Sequence, residues 1–552
     1  MVLRCTEDEF NIYRPGQTAR DLATKFGCSF FQAALLEMRG VSTDTNVSDV
    51  EAWLSPDIPV LLDRVDLGES NKRAEELFRN LSADSDVVVY GDYDVDGISS
   101  TALALEIVLR KGARVRYFIP HRFNQGYGLH ENVAQMIAKR KCDLLIVVDC
   151  GTHDAEAIKL VRDSGIPVVV FDHHLVEGQA AECDTLINPQ MGGNDLGKKL
   201  CATGVLWSWA WRTGQLPEEQ LLELLDLVAL ATIADCVSLG SPLNRAMVQR
   251  GLETMRKRPR QGLAILMEKL GITPHLLGTE DLAMKIIPCL NASGRLSYAD
   301  LAVNILFPGS DLVQQVDKII SLNQKRRALS TRILEQVEAN TDDQYRYVLT
   351  NDEWAVGVLS SVASRICSKR GKPVALVASV GEIMRGTLRM PNGGDAVGVL
   401  KKVSPMLNSW GGHRQAAGFS VKTDNWQPLR DEMEKLLSEV TICDEKEELL
   451  HWTPSDLNVK RWSEAEALGP FGMGNPCPIL YSPYEGHMEV TPLGKNGKHV
   501  KIDLGGSTLL GFGAADLMHH RDALQGWVYK PRIDTWRNMT SLQLILEKMI
   551  VV

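Results

Sequence analysis

The chain has 552 residues, 44% of them hydrophobic and 24% charged, with a formal net charge of -10. That length exceeds what one core can serve and predicts about three to four domains. The acidic balance argues against a protein that coats nucleic acid generally, though not against one with a local basic groove. No stretch approaches the roughly 18 uninterrupted apolar residues of a membrane helix. The N-terminal MVLRCTEDEFN turns polar at once and lacks the apolar region of a signal peptide. The eleven cysteines include no CxxC pair, which argues against a disulfide framework or a zinc site. A cytoplasmic protein without membrane association is expected.

Residues 1–50 read as a helical lead-in; VSDVEAWLSP closes it as a short helix stopped before Pro56. From Asp86 the pattern alternates. DVVVYG, ARVRYFIP, DLLIVVDCG and IPVVVFDHH read as strands, with ISSTALALEIVLRKG and AEAIKLVRDSG as helices between them. Strands alternating with helices predict an α/β domain with a parallel sheet, at residues 51–305. Its basic run Met255–Arg260 (MRKRPR) reads as solvated surface. Asp311–Asn340 holds no Pro or Gly, and residues 306–341 are predicted as a long connecting helix, polar all round near Asn323–Arg327. A second, smaller α/β domain follows at 342–442. The acidic CDEKEE looks like a linker, and the short strands with glycine turns at 443–552 predict a small β-barrel.

The chemistry gathers at strand ends. GDYDVDG places Asp92, Asp94 and Asp96 at alternate positions after an apolar run. Three unpartnered carboxylates cannot be buried. They belong where the strand ends and the chain turns, the usual ligand edge of an open α/β sheet. The D-x-D-x-D-G spacing also opens a calcium-binding EF-hand loop, but the loop's twelfth position is Leu103 and the preceding segment is a strand. Other apolar runs end on Asp149, on Asp172-His173-His174 and, from a longer segment, on Asp235. Parallel strands bring the first three ends to one edge; Asp235 joins them if its helix points there. A mixed set of aspartates and histidines suits Mn or Mg, with some tolerance for Zn or Co. Two such ions sharing a carboxylate activate water and stabilise an in-line phosphoryl displacement. Phosphoester hydrolysis is therefore the reaction class the residues predict. Gly411-Gly412-His413 is a candidate anion cradle, and Arg122, Arg295 and Arg389 are candidate phosphate forks.

In that combination the sequence resembles the DHH phosphoesterase superfamily, and within it the RecJ-type single-stranded-DNA-specific exonucleases. GDYDVDG, VVDCG, DHH and ATIADCVSLGSPLNR follow the family's four catalytic motifs in order. His121-Arg122-Phe123 with GYGL, CLNASGRL, LNQKRR, GGHRQAAGF and LGPFGMGNPCPIL fit its later segments, so the resemblance covers about residues 50 to 552. It implies two Mn2+ or Mg2+ ions held by Asp94, Asp96, Asp149, His173 and Asp235, with Asp149 bridging. Asp92 would be a ligand or a support for the ligands. His174 would touch the scissile phosphate or orient a ligand. Arg122, Arg295, Arg389, Gly412 and His413, with Ser360 as a further candidate, would grip the DNA backbone. The barrel would be of OB type. The implied activity is 5′-to-3′ exonuclease action in DNA repair and recombination by a monomer, with single-strand-binding protein and a RecQ-type helicase as partners. The chain departs from the family pattern after DCG, at Thr152-His153-Asp154, where a change beside the site with activity retained is expected. Two other functions compete: a DHH phosphoesterase acting on oligoribonucleotides or small phosphates, and a non-catalytic DNA-binding replication scaffold.

Overall fold

In the computed structural model the chain opens with two short strands, β1 (Leu3–Cys5) and β2 (Phe10–Tyr13), where the sequence predicts only helix. Residues 3–551 are described except 69–71, 123–125, 177, 308, 340–345, 441–445, 495–496 and 537–538. Helices Gln17–Phe26 and Phe30–Met38 follow, the second opened by a capping box between Ser29 and Gln32. Phe31, Leu35 and Leu36 are fully buried, but against Trp452, Trp462 and Trp527 from the far end of the chain. The lead-in is thus part of the C-terminal core, because its apolar faces find no partner nearer in sequence.

The central sheet is all parallel, in the order β4-β3-β5-β6-β7: β3 (Asp86–Tyr90), β4 (Arg114–Phe118), β5 (Leu144–Val148), β6 (Val168–Phe171) and β7 (Thr185–Ile187). Its strands are apolar on both faces because helices cover both. Val87, Val89, Leu144, Ile146 and Val169 face a core shared with helices Val95–Arg110, Ala202–Arg212 and Leu225–Ala234. Val88, Tyr90, Leu145, Val147 and Val170 face a second core under helices Glu131–Arg140 and Ala155–Asp163. Each such buried side chain contributes about 1.5–3 kcal/mol relative to exposure. The register pairs Tyr90 with Val147 and Val148 with Phe171, so the chain leaves β3, β5 and β6 at one edge. Arg260 corrects the reading of MRKRPR as solvated surface: it is mostly buried, bonded to Asp226 at 2.6 Å and Glu106 at 2.8 Å.

Helix Leu312–Ala339 joins this unit to the next. Val316 and Ile319 pack into the first core, Ile333 and Val337 into that of the second unit, which accounts for the polar middle. The second unit has the sheet order β11-β12-β10-β9-β8: β8 (Val348–Thr350), β9 (Val374–Val380), β10 (Ile383–Arg389), β11 (Ser409–His413) and β12 (Ala416–Lys422). Helix Val356–Arg370 lies on one face.

The last strands are β13 (Glu447–His451), β14 (Leu480–Pro483), β15 (Glu489–Leu493), β16 (His499–Asp503), β17 (Thr508–Gly511), β18 (Leu524–Trp536) and β19 (Met539–Val551). They form one curled nine-stranded sheet with the N-terminal pair: β2 lies parallel to β13, and β1 parallel to β19. The CDEKEE linker is shorter than predicted, since Glu447 and Glu448 already belong to β13; Cys443, Asp444 and Glu445 lie outside the described residues, as do the boundaries set near 341 and 442.

Candidate metal centre

Past Tyr90 the chain turns sharply into helix Val95–Arg110. Asp94 caps that helix, its Oδ1 accepting from the amides of Asp96 at 3.0 Å and Gly97 at 3.2 Å. Gly97 cannot be larger: a Cβ there would lie 2.5 Å from the Asp92 carbonyl oxygen. Asp96 points into the N-terminus of helix Ala202–Arg212. Its carboxylate accepts from the amides of Ala202 (2.7 Å) and Thr203 (2.9 Å) and from the Thr203 hydroxyl (2.6 Å). Helix-end amides and the helix dipole hold the charge there.

Asp149 leaves β5 with φ +62, a left-handed conformation unusual for a non-glycine residue. Its amide still extends the ladder to the Phe171 carbonyl at 2.9 Å. Gly151 completes the turn; a Cβ there would meet Val170 at 2.9 Å. The strained turn lifts the Asp149 carboxylate to the edge where β6 delivers Asp172, His173 and His174. Asp235 arrives from another direction, as the C-terminal cap of helix Leu225–Ala234.

These placements gather five aspartates and two histidines into three overlapping sets: Asp92, Asp94 and Asp149; Asp96, His173 and Asp235; Asp149, His173 and His174. Within each set the candidate ligand atoms lie within 4.8 Å of one another. His173 Nε2 sits 3.4 Å from Asp149, 3.6 Å from Asp235 and 3.8 Å from Asp96. These distances are mostly too long for hydrogen bonds, yet they suit donors around one ion with bonds of about 2.1 Å. Among the described residues no Lys or Arg forms an ion pair with the five aspartates. Asp92 Oδ1 is buried without a hydrogen-bond partner. Burial, then mutual repulsion, raises the pKa of Asp92 and Asp149 well above the ordinary carboxylate range and pushes Asp235 up to about 8. Burial lowers that of His173. The donor set fits hard divalent cations, and two disjoint triads leave room for two of them.

His174 differs. Asp172, fully buried, accepts at 2.7 Å from its Nδ1 and receives the Thr152 hydroxyl at 2.6 Å. Burial opposes the charge on both groups, but their hydrogen bond and attraction win: His174 rises to about 9 and Asp172 falls well below its usual range. Tyr127 lies 3.0 Å from the same Nδ1, and Asn188 holds the His174 carbonyl at 2.9 Å. With Nδ1 engaged by Asp172, Nε2 is the ring nitrogen left for another partner.

The departure at Thr152-His153-Asp154 leaves the cluster intact. Thr152 orients Asp172. His153 is turned to the surface, its Nε2 3.0 Å from the Leu175 carbonyl oxygen. Asp154 accepts from the Leu129 amide at 2.7 Å and steadies the loop that carries Tyr127.

The candidate phosphate-binding residues line the junction with the second unit. Arg122 lies over the Tyr93 ring at 4.9 Å; Phe123 lies outside the described residues. Arg295, largely buried, donates to the Gly357 carbonyl at 3.4 Å; burial, then Arg122 and Arg326, lowers it to about 10. Arg389 donates to Ser360 and, at 2.9 Å, to Ser364. The sheet register aligns Arg389, Ala416 and His413 across three strands, so Arg389 and His413 share a face. Gly412, at φ +140, lets the backbone pass Ala416, whose carbonyl oxygen would lie 2.4 Å from a Cβ.

Sequence reasoning missed Thr203, Tyr127, Asn188 and the orienting role of Asp172. A Thr opening the helix at CATGV offers free amides and a hydroxyl, a signal that could have marked Thr203; Tyr127 and Asn188 carry none.

Comparison with known proteins agrees with this architecture. Residues 86–232 match the model of the DHH family, N-terminal domain, and residues 342–439 that of the DHHA1 domain. Residues 450–548 match the RecJ OB domain. The single-stranded-DNA-specific exonuclease RecJ of Dickeya dadantii (strain 3937) is 30% identical over 533 residues, covering 88% of this chain and 91% of that one. The chain belongs to the RecJ family of DHH proteins. The crystal structure of RecJ from Thermus thermophilus in complex with Mn2+ superposes with a TM-score of 0.80 at 26% identity, over 98% of this chain and 79% of that one. Its Mg2+ complex gives 0.75 at 25% identity, over 99% and 79%.

Proposed function

We propose that the chain is a metal-dependent exodeoxyribonuclease that hydrolyses phosphodiester bonds of single-stranded DNA from the 5′ end, in repair and recombination. The observation that carries this is the partly buried cluster of five aspartates and two histidines, whose aspartates form no ion pair with Lys or Arg among the described residues, in a chain of the RecJ family. Asp92, Asp94 and Asp149 would hold one Mn2+ or Mg2+ ion, and Asp96, His173 and Asp235 the other, with Asp149 shared. Bound there, the ions supply Lewis acidity and a hydroxide-like nucleophile at neutral pH.

The remaining roles belong to side chains. Thr203 and the helix end behind it fix Asp96, and the Gly97 turn fixes Asp94. Asp172 holds the proton on His174 Nδ1. With its pKa near 9, His174 stays charged at neutral pH, and its Nε2 is the group we assign to a phosphate oxygen. Arg122, Arg295 and Arg389, with Ser360, Gly412 and His413, would grip the backbone of the strand. An OB-type surface holds single strands through a basic groove and base stacking. A strand clamped between two units would leave no width for a duplex. Residues 51–305 would form the catalytic unit, 306–341 the connecting helix and 342–442 the second unit, while 3–50 act with the C-terminal sheet. A cytoplasmic location fits the scattered free cysteines among the described residues, and a monomer is proposed from the family resemblance. Single-strand-binding protein and a RecQ-type helicase are the partners that would expose its substrate.

Digestion of single strands labelled at either end, with Mn2+ present, tests this. Label release from the 5′ end first is expected, with loss of at least 100-fold in Asp149→Ala while DNA binding persists. Release from the 3′ end first, or equal attack on duplex, overturns it. Cleavage of small phosphate esters in preference to DNA would favour the shorter-substrate reading. Equal DNA loss with wild type and Asp149→Ala would favour the scaffold.

A further inference from the structure

No side chain of a described residue holds the Asp235 carboxylate by a hydrogen bond. Asp96 accepts three hydrogen bonds and Asp94 two, whereas the Asp235 carboxylate, like that of Asp149, accepts none from a described residue. Its place is set by backbone alone: helix Leu225–Ala234 on one side, and on the other a loop through Cys236, at φ +55, to Gly240.

That loop is held by the far end of the chain. Residues 471–476, in FGMGNP, make a tight turn in which Gly472 and Asn475 bond each other's backbone at 2.9 and 3.1 Å. The turn lies directly on 238–240. The Leu239 amide donates to the Met473 carbonyl at 2.7 Å. The approach is close: a Cβ on Gly240 would lie 3.0 Å from the Gly474 carbonyl, and one on Gly474, at φ +72, would lie 2.2 Å from the Ser238 side-chain Oγ and 3.3 Å from the Gly240 amide nitrogen. The turn is anchored in turn by Arg39, donating to Asn475 Oδ1 at 2.7 Å, and by the Thr279 hydroxyl, donating to the Phe471 carbonyl at 2.9 Å. Beneath the loop, the fully buried Arg245 donates to the carbonyls of Leu239 (3.1 Å) and Gly240 (3.2 Å). Gly474 at φ +72 is favoured as glycine by the turn itself; what bears on the metal-ligand loop is its close approach to Ser238 and Gly240.

We propose that the 471–476 turn positions Asp235, so that docking of the C-terminal unit completes the metal centre. The inference rests on Asp235 being a metal ligand. Its elements are Gly474 and Asn475 as positioning residues, acting through Ser238, Leu239 and Gly240.

Mn2+ binding to the full chain, measured calorimetrically without DNA, tests it alongside single-strand binding in EDTA. Gly474→Ala is expected to weaken one Mn2+ equivalent at least tenfold, the same one that Asp235→Asn removes. Thr279→Val, which deletes a single peripheral bond and keeps the fold, should weaken it two- to fivefold. Strand binding in EDTA should stay within twofold in both. If Gly474→Ala and Thr279→Val bind both equivalents as wild type does while Asp235→Asn loses one, the positioning role is refuted and the metal centre stands. If Asp235→Asn keeps both equivalents, Asp235 is no ligand and both readings fall. Should Gly474→Ala not fold, the Thr279→Val result decides.

Discussion

Asp235→Asn should make the metal-free protein more stable while destroying the metal centre. In the folded chain the Asp235 carboxyl titrates near 8, pushed up by burial and by Asp96 and Asp94. Unfolded, it titrates near 3.9. Between those values the native state holds a proton that the unfolded state has released, so stability is lost as pH rises, by about 1.4 kcal/mol per unit. From pH 4 to 7 that amounts to about 4 kcal/mol as a ceiling. The side chain is 28% exposed, and solvent screening brings the expectation to about 2–3 kcal/mol. Asparagine carries no proton to lose. In EDTA at pH 7 its catalytic unit should therefore unfold about 5–10 °C above wild type, with the gap closing toward pH 5. Excess Mn2+ should reverse the order, since only the intact centre gains from binding. Scanning calorimetry across pH 5–8, with and without Mn2+, measures both. Parallel pH dependence of the two proteins in EDTA would refute the assignment of electrostatic strain to this carboxylate.

Other side chains make separate predictions. Asp172→Asn removes the main group that keeps His174 charged, so burial should lower its pKa. The rate at pH 8 should then fall at least tenfold and the rate at pH 6 far less, as kcat/KM profiles would register. Thr203→Val deletes a charge-assisted bond worth about 1.5–3 kcal/mol to Asp96, and calorimetry should find Mn2+ affinity lowered about 10- to 100-fold. Gly97→Ala forces a Cβ within 2.5 Å of the Asp92 carbonyl, and at a cost of about 1–3 kcal/mol or more it should depress thermal stability together with Mn2+ binding. Unchanged melting would mean the turn accommodates the methyl group.

Where fold and site were legible in the sequence, local patterns and the final contacts agree. Val87–Tyr90 and Leu144–Val148 are apolar because helices cover both faces, and a parallel strand must deliver its next residues to the ligand edge. Asp149 and His173 were therefore readable as neighbours from the strand pattern alone. Thr203 was not, because its role depends on which helix end docks against Asp96. The N-terminal strands were missed for a similar reason. LRC and FNIY are too short to announce themselves, and their partners lie over 400 residues away. The same blindness applied to Arg260: a basic run looks solvated until Asp226 and Glu106 close around one member.

The pairing of β1 with β19 bears on how the chain is assembled. Leu3 meets Lys548, so β1, made early in synthesis, waits for a strand made more than 500 residues later. Closing so long a loop is not itself prohibitive, since each doubling of length costs only about 0.6 kcal/mol. The cost is one of time. Until β13 and β19 appear, Phe10–Tyr13 and Leu3–Cys5 respectively are bare edges open to wrong partners. The central unit, whose strands follow one another closely, can fold meanwhile. The sheet that unites β1 and β19 would then form as the last step.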